Sequence, residues 1–304
     1  MNWQSALDPQ SPQAHSLSQL IWLIVIVSAM VWTLVMLVLF ASLRRRWRAS
    51  SSERRLTVVV SSAVGVTVIV IAALTLFSFF TTRSLTAATS DVLTIEVRGH
   101  QWWWEVTYRD PGFKTANEIR VPVGRPVRVL LSSQDVLHSF WVPYLAGKQD
   151  LIPGRDNSLD FTVQKSATYR GQCAEYCGVQ HAHMAFTVVA LEPAAFEAWR
   201  QAQLHPAAEP SDAEEEAGRQ AFLTRKCAGC HTVRGTPANG ETGPDLTHLA
   251  SRLTIAAGLF ETTRGSLAAW IADPQNLKPG NNMPMVDLDA NELKAVSAYL
   301  MSLR

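Results

Sequence analysis

The sequence predicts a multidomain membrane protein in three parts: a two-helix transmembrane hairpin, a middle domain of short antiparallel strands, and a small all-α domain at the C-terminus. Three observations carry this. Two uncharged apolar runs stand near the N-terminus. Short alternating runs separated by Pro, Gly, Asp and Asn follow them. After a proline-bearing linker the apolar residues recur at helical spacing.

The chain has 304 residues, 47% of them hydrophobic, and a formal net charge of +1. So small a charge argues against a nucleic-acid partner, which selects a strongly basic domain. Residues 20–43 contain no charged side chain, and neither do residues 56–82. Each run exceeds the roughly 20 residues that cross a hydrocarbon core of about 30 Å, and neither shows the polar stripe of a soluble helix. The connecting segment, residues 44–55, sets Arg44, Arg45, Arg46, Arg48, Arg54 and Arg55 against Glu53 alone, and short basic loops stay cytoplasmic. Residues 1–19 and the chain after residue 82, hence both termini, are expected on the outer side of a bacterial plasma membrane. The first run is too long for the h-region of a cleavable signal peptide, and a polar rather than basic stretch precedes it.

The second domain, residues 83–200, contains LTIEVRGHQWWWEV, NEIRVPVGRPVRVLLSS, HSFWVP, NSLDFTV and MAFTVVAL. Short strands punctuated by turn residues read as an antiparallel sandwich or barrel. EPAAFEAWRQAQ is helical, and the prolines of LHPAAEPSD mark a semi-rigid linker, placed at residues 201–212. In the third domain, residues 213–304, Ser211 and Glu214 have capping-box spacing. A second helix runs through SLAAWIA and stops at Asp273 and Pro274. A last one starts at Asp289 and carries Leu293, Val296, Leu300 and Leu303 on one face.

Two strings use all four cysteines: CAEYCGVQHAHM, residues 173–184, and CAGCH, residues 227–231. In the first, two thiols, an imidazole and a thioether fall together at Cys173, Cys177, His181 and Met184. Soft sulfur with imidazole selects copper over hard cations. Zinc is the alternative, but a weak thioether ligand suits the tuning of a redox metal. The second string has the form of covalent c-type haem attachment, with Cys227 and Cys230 as thioether anchors and His231 as proximal ligand. A methionine sixth ligand raises the haem potential into a donor's range, and Met283 and Met285 compete for it. Two cofactor strings in one chain point to an electron carrier.

Together with SQDVLHSFWVP and GHQWWW, the first string resembles the dinuclear-copper (CuA) domain of cytochrome c oxidase subunit II, over residues 20 to about 200. The resemblance implies a cupredoxin-like antiparallel β-barrel. It also implies a copper pair bridged by Cys173 and Cys177, with His138, His181, Met184 and the backbone carbonyl of Glu175 as further ligands. The Glu175 carboxylate is implied as a ligand of magnesium shared with subunit I. Trp102, the first indole of GHQWWW, is implied as the electron-input residue, against the alternative of an interfacial belt. Trp103 and Trp104 are read as packing. His183, two residues from His181, is read as a non-ligand, and His15, His100, His205 and His248 as solvated or hydrogen-bonded.

The C-terminal domain resembles class I cytochromes c, in which the axial methionine precedes a proline; this selects Met283, and implies that Pro244 buttresses the proximal side. A cytochrome c fused to subunit II resembles the caa class of haem-copper oxidases. The function implied is passage of electrons from haem c through CuA to subunit I of a proton-translocating oxidase, with no catalytic residue on this chain. The implied partners are the other oxidase subunits, membrane lipid, and an upstream cytochrome c or cytochrome bc complex. Tethering makes the last transfer intramolecular. The eleven acids and nine bases from residue 211 to 304 fit a domain that needs little electrostatic steering.

One position departs from the family pattern. Second helices commonly open with an acid taken to mark a proton-channel mouth, and here Thr57 stands in that place. Two rivals share the cofactor strings: the input subunit of a copper-dependent nitric oxide reductase, and a stand-alone membrane-anchored electron shuttle.

Overall fold

The computed structural model of the protein describes residues 4–44, 53–84, 92–110 and 112–304. Arg45, Arg46 and Arg48 of the basic loop lie outside the described residues. The chain divides into two units, Gln13–Ala88 and a larger one made of Met1–Pro12 with Thr89–Arg304.

The smaller unit is two helices, α1 (Pro12–Arg44) and α2 (Glu53–Ser84). At 1.5 Å per residue each is about 50 Å long, more than the hydrocarbon core requires. Both overrun the uncharged segments because their polar flanks also favour helix: Pro12 suits a first turn, and Glu53 opens α2, where an acid complements the helix dipole. In neither helix is any of the most apolar stretch buried; Trp32, for example, is 64% exposed. Two helices this long and this apolar on every face suggest a membrane anchor.

In the larger unit, ten strands form two five-stranded sheets. They are β1 (Leu93–His100), β2 (Trp103–Tyr108), β3 (Phe113–Ala116), β4 (Glu118–Pro122), β5 (Pro126–Ser133), β6 (His138–Trp141), β7 (Gln149–Leu151), β8 (Asn157–Thr162), β9 (Ala167–Cys173) and β10 (Ala185–Leu191). The sheet orders are β3-β2-β1-β5-β8 and β4-β10-β9-β6-β7. An all-antiparallel domain was the expectation, but β1 pairs β5 in parallel and β10 pairs β4 in parallel. Chain alternation cannot reveal this, since side chains alternate between faces in either pairing.

The run LTIEVRGHQWWWEV is a hairpin rather than one strand. It bends at Gln101 and Trp102 and pairs His100 with Trp103 and Gly99 with Trp104. The three indoles therefore part company: Trp102 sits in the turn, while Trp103 and Trp104 alternate across the strand. Trp104 is fully buried against Phe140 and Phe186. The helix α3 (Pro193–Ala202) closes one end, its Trp199 against Tyr108 and Phe113.

The C-terminal part begins with α4 (Ala213–Thr224). Its N-cap is Asp212, which accepts from the Glu215 amide, and not Ser211 with Glu214. Glu215 reaches back to the Ser211 amide and hydroxyl, so the cap lies one residue further along. A two-residue ladder of β11 (Thr254–Ile255) and β12 (Phe260–Glu261) interrupts the helices. Then come α5 (Arg264–Ala272), the short α6 (Pro274–Leu277) and α7 (Ala290–Ser302). The α5 stop at Asp273 and the capping box of Asp289 with Glu292 are as expected. Helices α4 and α7 pack together, with Phe222 against Tyr299 and Val296, Leu300 and Leu303 buried.

Candidate metal and haem sites

The loop from β9 to β10 and the start of β6 bring the copper residues together. His138 is wholly buried, its Nδ1 3.9 Å from the Cys173 sulfur. The two thiols are 3.7 Å apart. Cys177 Sγ is 3.6 Å from His181 Nδ1 and 3.8 Å from Met184 Sδ, and the Glu175 carbonyl is 3.2 Å from Cys173 Sγ. All six sequence-predicted ligands converge, with soft donors meeting two imidazoles through their Nδ1 atoms. The hydrogen bond from Cys177 holds Cys173 well below the usual thiol range; burial opposes it, and His138 adds to it. A metal takes cysteine as the thiolate, and both thiols are buried beside the other candidate ligands. This donor set fits copper.

Asp135 is a residue that the sequence reasoning missed. Its carboxylate accepts from His138 Nε2 at 2.8 Å, and from the Gln101 and Val136 amides. Burial alone would raise Asp135, yet these hydrogen bonds bring it below the usual carboxylate range. A carboxylate on the far nitrogen of a ligating imidazole fixes its tautomer and direction. The signal was present as an acid three residues before His138 in SQDVLH.

His183 lies in a 3-10 turn, not in extended chain, and hydrogen-bonds Gln180. His248 is spanned between the Arg304 and His205 carbonyls. The Glu175 carboxylate is half-exposed and 3.6 Å from Lys148.

A cavity of about 500 Å³ opens between α4, α5, α7 and the loop after α6. Cys227, Cys230, His231 and Met283 line it, with Ile255, Leu267, Trp270 and Leu300 as apolar wall. His231 Nδ1 is 2.8 Å from the Pro244 carbonyl, which leaves Nε2 for a metal, and burial lowers the His231 pKa so that the ring is the neutral ligand form. A side chain at Gly243 would stand 2.7 Å from the His231 ring, so this close approach requires glycine. Met285 is 62% exposed and does not line the cavity. The residues present fit a covalently attached haem that His231 and Met283 could ligate.

The same cavity is lined by Gln101, Trp102 and Trp103 of the β-domain. Trp102 is 8% exposed, and its indole N–H donates to the Cys177 carbonyl at 2.9 Å. Gln101 Nε2 donates to the same oxygen at 2.7 Å. Gly178 has a φ of +114°, and a side chain there would meet the Trp102 ring at 2.9 Å. Trp103, expected only to pack, stacks on His100 at 4.4 Å and also borders the cavity.

Residues 111–191 match the family model of the cytochrome c oxidase subunit II periplasmic domain, and residues 215–304 match that of cytochrome c. Cytochrome c oxidase subunit 2 of Alkalihalophilus pseudofirmus is 36% identical over 99% of this chain and 91% of its own length. The chain belongs to the cytochrome c oxidase subunit II family. The corresponding subunit 2 of Bacillus sp. strain PS3 is 34% identical over 70% of this chain and 63% of its own length. A solved periplasmic domain of subunit II from Bradyrhizobium japonicum is 34% identical, covering 37% of this chain and 93% of that one at a TM-score of 0.36. This chain is accordingly a subunit II with a cytochrome c domain, and those two families imply copper and haem c.

Proposed function

We propose that this subunit II receives electrons on a covalent haem c and passes them through a dinuclear CuA site to subunit I, where oxygen is reduced to water with proton translocation. Bound, the haem and the copper pair supply one-electron chemistry at two fixed potentials. Cys227 and Cys230 would anchor the haem, and His231 and Met283 would be the side chains that ligate its iron. Cys173, Cys177, His138, His181, Met184 and the Glu175 carbonyl would hold the copper pair, and Asp135, hydrogen-bonded to His138, would orient that imidazole.

The observation that carries the reading is Trp102: one indole borders the haem cavity and hydrogen-bonds the backbone of a bridging cysteine. Burial of that ring excludes water from the gap and keeps the link short. Thr57, standing where the family commonly has an acid, carries no carboxyl group and donates its hydroxyl to the Glu53 carbonyl of its own helix; the missing acid is what puts a proton entrance on this subunit in doubt. The Glu175 carboxylate, reachable at the surface, would give one oxygen to a magnesium shared with subunit I, in competition with Lys148.

The proposed domains are an outer N-terminal segment, the two membrane helices, the basic cytoplasmic loop, the copper domain to about residue 200, a linker and the haem domain. Both metal domains face the outer side of the bacterial plasma membrane. The donor would be a cytochrome c or a cytochrome bc complex. Purification of the chain with its partner subunits, followed by metal analysis and turnover, tests this. Two coppers and one covalent haem per subunit II, with oxygen consumption, are expected; nitric oxide turnover without oxygen consumption, or a chain isolated with no partner, would favour a rival.

A further inference from the structure

The haem domain does not merely hang from its linker. It is joined to the copper domain by hydrogen bonds spread across both: Arg120 to the Ser251 carbonyl, Arg252 to the Thr115 hydroxyl, the Leu253 amide to Glu118, the Ala185 amide to the Ala257 carbonyl, and Gln180 to the Pro279 carbonyl. At the centre of this joint is Lys278, five residues before Met283 and only 2% exposed. A lysine is almost never buried so fully unless its charge is met. Here Nζ donates to three carbonyls: Trp102 at 2.8 Å, His183 at 2.8 Å and Ala256 at 3.0 Å.

Those acceptors belong to three separate segments. Trp102 is the turn between the two sites, His183 follows the copper-loop histidine His181, and Ala256 lies in the loop between β11 and β12 that walls the haem cavity. Lys278 itself starts the loop that ends at Met283. Burial brings the Lys278 pKa down to about 7, and in the ammonium form all three hydrogens have a taker, so one side chain gathers the indole, the copper loop and two sides of the haem cavity. Ala256 and Ala257 have φ of +53° and +60°, a conformation that non-glycine residues hold only where neighbours over-determine it. Their neighbours here are Lys278 on the Ala256 carbonyl and Ala185 on the Ala257 carbonyl.

We propose that Lys278 is a positioning residue for haem-to-copper transfer: its ammonium locks the Met283 loop against Trp102 and the copper loop, so that the transfer takes place in a permanently docked arrangement. This rests on the haem and copper reading above and deepens it. A guanidinium could not substitute, because its donors lie in a flat fork rather than converging from one atom. Neither the linker nor net charge then sets the rate; the geometry at Lys278 does.

The test uses the full chain carrying both cofactors, in Lys278→Met and Lys278→Gln forms. Haem and copper spectra and potentials should match wild type in both. In Lys278→Met first-order reduction of copper by the haem should slow by about tenfold or more, since the strong hydrogen bonds to the ammonium no longer hold the productive geometry. The rate should also become dependent on solvent viscosity, which a merely loosened fold would not produce. Lys278→Gln keeps two N–H donors and should fall between. Wild-type rates in both variants, or slowing without viscosity dependence, would overturn the proposal. A wild-type chain lacking either cofactor signal would instead overturn the functional reading on which it stands.

Discussion

The Trp102 indole N–H donates to the Cys177 carbonyl at 2.9 Å while the same ring borders the cavity that holds Cys227 and Cys230. The two cofactor strings, 50 residues apart from Cys177 to Cys227 in sequence, are thus joined by one side chain and one hydrogen bond. Trp102→Phe keeps a ring there but removes the donor. Copper reduction by the tethered haem should slow, with both metals retained; stopped-flow or flash reduction of the variant checks this, and an unchanged rate would reduce Trp102 to packing.

Asp135 holds His138 by its outer nitrogen. Carboxylates in that position typically contribute 10–100-fold in metal affinity, so Asp135→Ala should weaken copper binding by roughly that factor. Competition with a chelator of known affinity measures it. Affinity equal to wild type would mean that burial alone orients the imidazole.

Met283 borders the haem cavity and Met285 does not. Met283→Ala should abolish the low-spin, methionine-ligated spectrum and lower the haem potential while leaving the thioether attachment intact. Met285→Ala should change neither. The reverse pattern would reassign the axial ligand.

Thr57 is exposed and bonded to its own helix. Thr57→Glu places a charge one turn after Glu53, near the helix end, where its cost falls well below the roughly 2.5–3.5 kcal/mol of a mid-membrane site. The variant should assemble and consume oxygen at nearly the wild-type rate. A large rise in turnover would show that the proton entrance is on this subunit after all.

What was legible in the sequence was whatever is local. Four candidate copper-site side chains lie within twelve positions, and CAGCH within five, so each cluster could be picked out from spacing alone. The two candidate membrane helices declare themselves because their uncharged runs carry no polar face. His138 is 35 residues from Cys173 and needed the family resemblance. The strand β9 escaped because its inward side chains are Tyr169, Gly171 and Cys173, which do not form an apolar alternation. The joint between the domains was invisible for a stronger reason. Lys278 meets Trp102 across 176 residues through a backbone carbonyl, and a carbonyl acceptor leaves no trace in residue identity. For the same reason a linker-tethered donor was expected where the structure has a docked one.

The most direct test of the account is the order of the reaction. In the isolated full chain with haem and copper loaded, the haem is reduced by a light pulse and the copper is followed as protein concentration and salt are varied. The account predicts a single first-order reduction of copper whose rate depends on neither. A rate that rises in proportion to protein concentration, or that collapses with added salt, would mean that the two domains meet by collision, and would contradict it.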